Sequence, residues 1–352
     1  MNIKFYAPQW GNVLPFETFC HNVKRAGYDG VEMALPFDEK EKAEILAALH
    51  DFDLELIGQY WQSHEKDLDE HTENYEKYLR NLISAKPIFI NCQTGKDYFT
   101  FEQNKQLFEL ASRISEETGV TIIHETHRGK SLFAAHITQE YLTQLPDLRI
   151  CLDISHWCNV HESLLDDQQD AVAKAIAHTN HIHSRVGHPE GPQVNDPRAP
   201  EWEEVLQTHL CWWEKVVATH RQQGTQLTIT TEFGPATYMP VLPYTQMPVA
   251  NQWEINVFMM NLLIHHRLGN FDYLSYDLVS LERKLKIEKK YHALEKVIIQ
   301  VFRNVFTLNS RSQKLWNTFN DLSKMPYHQP IIKNLKLDKW VYRQLFEKHR
   351  NE

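Results

Sequence analysis

Between residues 3 and 268 the chain alternates, eight times, a short apolar run with a longer segment whose apolar residues recur at helical spacing. The runs fall at 3–8, 30–35, 54–60, 88–92, 121–127, 149–156, 181–185 and 227–234. The helical segments fall at 15–26, 38–51, 68–85, 101–118, 131–145, 166–178, 201–222 and 252–267. Gly27 and Gly119 follow two of them, where a helix closes through a residue free to adopt positive φ. Strands joined by helices across short turns must pair in parallel, because each helix returns the chain to the edge it left. Eight such units close on themselves, so the expected fold is α/β, a (β/α)8 TIM barrel over residues 1–270. The rival arrangement, an open doubly wound sheet, is disfavoured because no GxGxxG follows the first strand.

The last four apolar runs each end on a residue that can bind a metal. They are Thr121 to His127, Arg149 to His156, His181 to Arg185 and Leu227 to Gly234. Read as strands of a barrel, they bring Glu125, Asp153, Glu232 and an imidazole, His183 or its neighbour His181, to the end where barrel enzymes keep their chemistry. Three carboxylates and an imidazole at one place repel and desolvate one another unless a cation lies among them. A set rich in oxygen suits Mn2+ or Mg2+ and tolerates Co2+ or Zn2+. The segment His124-Glu-Thr-His127 is not the HExxH of zinc proteases: its histidines are three apart, not four, and it reads as strand.

Other residues on the same rim have two readings each. His156 either contacts a substrate hydroxyl or caps a helix. Arg185, two residues after His183, either fixes a substrate oxygen or supports Asp153 and Glu232 from behind. Glu32 ends the second strand and also faces the mouth. Two long proline-bearing loops, 184–200 and 233–250, follow the seventh and eighth strands, and His188 and Tyr238 offer polar contacts there. Long ordered loops over a barrel mouth commonly contribute to the binding site.

Composition closes off other classes. Of 37 Lys+Arg and 46 Asp+Glu in the chain, residues 271–352 hold 16 and 9, leaving 21 and 37 for the barrel. An acidic body has the wrong sign to meet phosphates of a nucleic acid. The basic segment 271–352, with an apolar stripe through Leu281, Leu285, Leu294, Val297, Ile298 and Val301, is expected as a helical C-terminal extension that packs on the barrel or in a homo-oligomer. No basic and apolar leader opens the chain, no apolar run reaches membrane-spanning length, and the five cysteines form no CxxC pair. These features predict a cytoplasmic protein with reduced thiols and no membrane partner.

The strand-end motifs HETHRG, CLDISHW, HIHSRVGHPEGPQ and TTEFGP, with AGYDGVEMAL near the start, resemble the xylose-isomerase-like TIM barrels, the sugar phosphate isomerase/epimerase group. The resemblance covers about residues 1–268. It implies one divalent ion held by Glu125, Asp153, His183 and Glu232, with Glu125 and Glu232 as acid and base on either side of a sugar carbon. It places His156 at the substrate, as in the ketose 3-epimerase branch. That branch also carries a Glu and an Arg where this chain has Ser131 and Pro189. The implied activity is isomerisation or epimerisation of a sugar or sugar-like polyol by proton transfer through an enediolate. The site residues expected to touch substrate are His156, Arg185 and His188. A dehydratase of the inosose kind would use the same metal and base. An apurinic-site endonuclease would need more ligands and a basic face, and a non-enzymatic barrel would be indifferent to loss of Glu125 or Glu232.

Overall fold

The structure is a computed structural model and describes residues 3–267. The extension expected over 271–352 lies outside the described residues.

Eight parallel strands form one closed barrel in chain order. They are β1 (Ile3–Pro8), β2 (Gly30–Met33), β3 (Glu55–Tyr60), β4 (Ile90–Cys92), β5 (Ile122–Glu125), β6 (Ile150–Leu152), β7 (Thr179–His183) and β8 (Leu227–Thr230). Closure is made by β8 on β1, where Ile3 to Tyr6 run opposite Leu227 to Thr230. The helices are α1 (Phe16–Ala26), α2 (Glu39–Asp51), α3 (Leu68–Ser84), α4 (Phe101–Thr118), α5 (Ala135–Gln144), α6 (Ser155–Val160), α7 (Gln169–His178), α8 (Glu203–Gln223) and α9 (Gln252–Arg267).

Helix starts and stops follow local chemistry. The Asp38 carboxylate accepts from the Glu41 amide at 2.8 Å ahead of α2, and Asp67 accepts from Asp69 and Glu70 ahead of α3. Thr100 and Gln103 exchange hydrogen bonds as a capping box at the head of α4. Gly27 and Gly119 end α1 and α4 at φ of 97° and 73°. The helices bury one side each, with Val23, Leu79, Leu107 and Ala175 fully enclosed between helix layer and barrel.

Three local expectations are corrected. The run at 149–156 is not strand to its end: β6 stops at Leu152, and Ser155–Val160 turns into the short helix α6, which makes nine α-helices among the described residues, besides a 3-10 turn at Pro200–Trp202. The run at 227–234 leaves the ladder at Thr230, because the amide of Phe233 turns back to Thr231 O and that of Gly234 binds the Gln193 side chain. The fifth helix begins at Ala135, which frees residues 126–134 as a loop over the mouth.

Candidate metal centre and active site

β5, β6, β7 and β8 deliver Glu125, Asp153, His183 and Glu232 to one spot, where one ligand atom from each lies within 4.8 Å of all the others. All four side chains are buried. The two nitrogens of His183 face different partners. Nε2 bonds the Glu32 carboxylate at 3.0 and 3.1 Å. Nδ1 lies 2.7 Å from Glu232 Oε2, 3.9 Å from Glu125 Oε1 and 4.0 Å from Asp153 Oδ2, yet has no hydrogen-bond partner. With Nε2 held by Glu32, Nδ1 faces three carboxylates, a place for a proton or for a cation. Such a constellation of acceptors fits a cation, and an imidazole whose far nitrogen is held by a carboxylate is the usual way a histidine ligand is fixed.

The electrostatics agree with that fit. Burial pushes the Glu125 carboxyl up to about 8, and Glu232 and Asp153 push the same way, against the pull of His183 and Arg185. Burial likewise raises Asp153. Glu232 goes the other way, because His183 and Arg185 outweigh the burial that would raise it. Burial alone would lower His183, but Cys151 and the carboxylates of Glu232, Glu32 and Glu125 together raise it well above the usual imidazole range. Positive charge is thus drawn to the centre of the cluster.

Neutral amides hold the carboxylates in place. Gln59 donates to Glu232 Oε1 at 2.9 Å, and Asn91 donates to Glu125 Oε2 at 3.2 Å and to Glu32 Oε1 at 2.9 Å. Gln93 reaches both oxygens of Glu125 at 3.3 and 3.4 Å. Glu32 also accepts from Thr230 at 2.5 Å and meets His181 Nε2 at 3.2 Å. His181 therefore serves Glu32 rather than the carboxylate cluster. Sequence reasoning gave Glu32 little weight and passed over Gln59, Asn91 and Gln93. Their signal was position alone, at the ends of β3 and β4.

Arg185 is fully buried, donates to Asp153, and lies 3.6 Å from Glu232 Oε2. The Tyr238 and Trp10 rings flank its guanidinium at 4.7 and 5.9 Å. It also donates to His156 Nε2 at 2.8 Å. Because guanidinium only donates, that nitrogen is the acceptor of a neutral imidazole, and burial keeps His156 neutral. Its Nδ1–H is then a buried donor without a partner. His127 packs on it with ring centres 3.8 Å apart, and Tyr238 Oη lies 3.4 Å from His127 Nε2.

The two long loops are tied together by Gln193, whose side chain binds both the amide and the carbonyl of Gly234 at 2.7 and 3.2 Å. His188 is not brought to the cluster. Its ring lies 4.8 Å from Trp202, and its backbone is paired with Gly191 inside its own loop. All five cysteines are free, four of them buried and Cys211 exposed. Among the described residues no helix is long and apolar enough to cross a membrane.

No protein-family model matches the chain. It is 22% identical over 197 residues to an inosose dehydratase from Mesomycoplasma hyopneumoniae, a match covering 50% of this chain and 64% of that protein, less than two thirds of its length. Among solved structures, a 3-keto-D-glucoside 4-epimerase from E. coli aligns with a TM-score of 0.49 and 14% identity, covering 74% of this chain and 99% of that one. A D-tagatose 3-epimerase-like protein aligns with a TM-score of 0.47 and 13% identity, covering 64% and 89%.

Proposed function

We propose that this chain is a divalent-metal-dependent isomerase or epimerase of a sugar or sugar-like polyol. The observation that carries the reading is the convergence of His183 and the carboxylates of Glu125, Asp153 and Glu232, all buried, with one ligand atom of each within 4.8 Å of the others. Those four residues would hold the ion, with Mn2+ or Mg2+ best suited to three oxygens and one nitrogen. Bound there, it would supply Lewis-acid stabilisation of charge on a substrate oxygen beside the reacting carbon, on the order of several kcal/mol.

The remaining work falls to the protein's own groups. A hydrogen on carbon next to a carbonyl leaves only to a base held in reach of it, and the surrounding burial keeps water from competing. Glu232, with the Arg185 guanidinium 3.6 Å from its carboxylate, is suited to take the proton. Glu125, the other glutamate of the pair, is suited to give one back. Gln59 and Gln93 orient the two carboxylates. His156 offers its unpartnered Nδ1–H to a substrate oxygen, while Arg185 fixes the His156 ring and offsets the charge of Asp153. His188 is assigned to the rim, where its loop would meet the distal part of a substrate.

A second reading, a dehydratase, is favoured by the match to an inosose dehydratase. It uses the same base and differs in that a hydroxyl leaves from the neighbouring carbon. Incubation of ketoses and inososes with the Mn2+-loaded protein in D2O separates the two. Deuterium at the carbon beside the carbonyl, with the carbon skeleton and oxygens conserved, is expected for the first; an unsaturated or deoxy-keto product identifies the second. Glu232→Gln should lower either rate by about 10²–10⁴-fold while far-UV circular dichroism stays unchanged. Unaltered turnover in that variant removes Glu232 from the mechanism.

A further inference from the structure

Three consecutive loops on the catalytic face, those after β3, β4 and β5, bring two lysines onto one serine. Lys96 Nζ donates to Ser63 O. Lys130 Nζ donates to Ser63 Oγ and lies 3.3 Å from the same Ser63 O. Two ammonium groups thus share one carbonyl, and Lys130 is buried, at 8% exposure. Neither lysine makes an ion pair within 4.0 Å among the described residues; Glu65 and Asp97, and for Lys130 also Glu125, act on them only from farther off. Placing two like charges together out of water is costly unless an opposite charge joins them.

The backbone is built to keep them there. Asn104 accepts from the Lys96 amide at 3.2 Å and donates to Lys96 O at 2.9 Å. Gly95, at φ of 67°, passes so close that a Cβ would lie 2.1 Å from Asn104 Oδ1, so a side chain there would displace the Asn104 carboxamide that holds Lys96. The Lys130 amide donates to His127 O at 3.2 Å, and the next residue, Ser131, is bound twice to Thr94 O.

The pair is next to the proposed reaction centre. Ser63 Oγ donates to Gln93 O at 3.0 Å, while the Gln93 side chain reaches Glu125 at 3.3 Å. One residue therefore touches both the lysine-bearing serine and the carboxylate assigned as acid.

We propose that Lys96 and Lys130 form an oxyanion subsite at the end of the substrate pocket, so that the sugar handled by this chain carries a phosphate or a carboxylate. The inference rests on the sugar-enzyme reading for the substrate, but the subsite itself is defined by the lysines. Lysine binds such groups as a mobile point charge with three donors, and each ammonium here keeps a donor beyond those given to Ser63.

Two measurements decide it. In the first, inorganic sulfate is titrated calorimetrically into the Mn2+-loaded protein at constant ionic strength. Saturable one-site binding is expected, weakened by about 10-fold or more in Lys96→Met and in Lys130→Met, as for loss of one charged hydrogen bond. Absence of saturable binding to the unaltered protein, or an equal Kd in a folded variant, overturns the subsite. Lys96 is the less enclosed of the two, so its variant decides if Lys130→Met does not fold. In the second, kcat/KM is compared for matched neutral, terminally phosphorylated and uronate sugars. The anionic forms should be preferred by about 10-fold or more, with the preference lost in Lys96→Met; the form preferred identifies the group. Preference for the neutral sugar overturns the proposal. If no sugar of any form turns over, the failure belongs to the enzymatic reading, and the sulfate result still judges the lysines.

Discussion

The two nitrogens of His183 divide the site into an inner and an outer half. Nε2 is spent on Glu32, and Nδ1 is left facing Glu125, Asp153 and Glu232. Replacing Glu32 by Gln should therefore leave all four proposed ligands in place but weaken metal binding by about 10–100-fold, since the imidazole loses its charged anchor. Competition titration with a fluorescent chelator measures this, and an unchanged affinity would deny Glu32 that function. Lys130 supplies a test by pH. Burial and the neighbouring Lys96 push its ammonium down to about 8, while Glu125, Glu65 and Asp97 oppose the shift and His71 lies in the same cluster. Because the charged form binds anions and is lost as pH rises through about 8, sulfate affinity should fall between pH 7 and 9.5. Affinity that is flat across that interval would show that Lys130 is not part of the subsite. At this scale Glu125, Asp153 and Glu232 were legible in the sequence, because an acid closing an apolar run has few structural uses, while Lys96 and Lys130 were not, because a lysine in a loop is ordinarily solvated. Gln59, Asn91 and Gln93 were not, since neutral amides carry no such cost and end strands for many reasons. His188 looked as suitable as His156 by composition, and only the packing of its loop on Trp202 separates them.

At the level of elements, the site depends on a close passage between the loop after β7 and the head of α6. A Cβ added at Gly187 would sit 2.5 Å from Ser155 O and 2.7 Å from Ser155 Cα, so backbone rather than a flexible side chain would have to move. Ser155 donates to Asp153 and lies next to His156, so the displacement is passed to both. Gly187→Ala should cost about 1–3 kcal/mol in urea denaturation and also lower kcat/KM; stability equal to that of the unaltered protein would show that the contact relaxes freely. The barrel order and most helices follow from the alternation of runs, and the bounds of β1, α4 and α9 match their periodicity. α6 did not, because six residues are too few to show a helical period and Ser155-His-Trp-Cys158 continues the apolar character of β6. β8 was drawn too long for a related reason. Thr231 to Gly234 have strand composition, but the amide of Phe233 is taken by a turn and by Asn256 and that of Gly234 by Gln193.

Across residues 3–267, one sense of chain direction runs through all eight strands, so every strand end, and every loop that follows one, opens on the same face. The four proposed metal ligands come from β5 to β8, the orienting carboxylate and amides from β2 to β4, and the lysine pair from the loops after β3 to β5. Both halves of the barrel are thus needed for one pocket, with the negative cluster on one side of Gln93 and the positive pair on the other. The most direct measurement is anomalous diffraction at the manganese edge from crystals soaked in Mn2+. A single fully occupied peak within about 2.5 Å of His183 Nδ1 and of one oxygen each from Glu125, Asp153 and Glu232 is the predicted result. A soaked crystal with no peak among these residues, or with manganese bound elsewhere on the barrel, would contradict it.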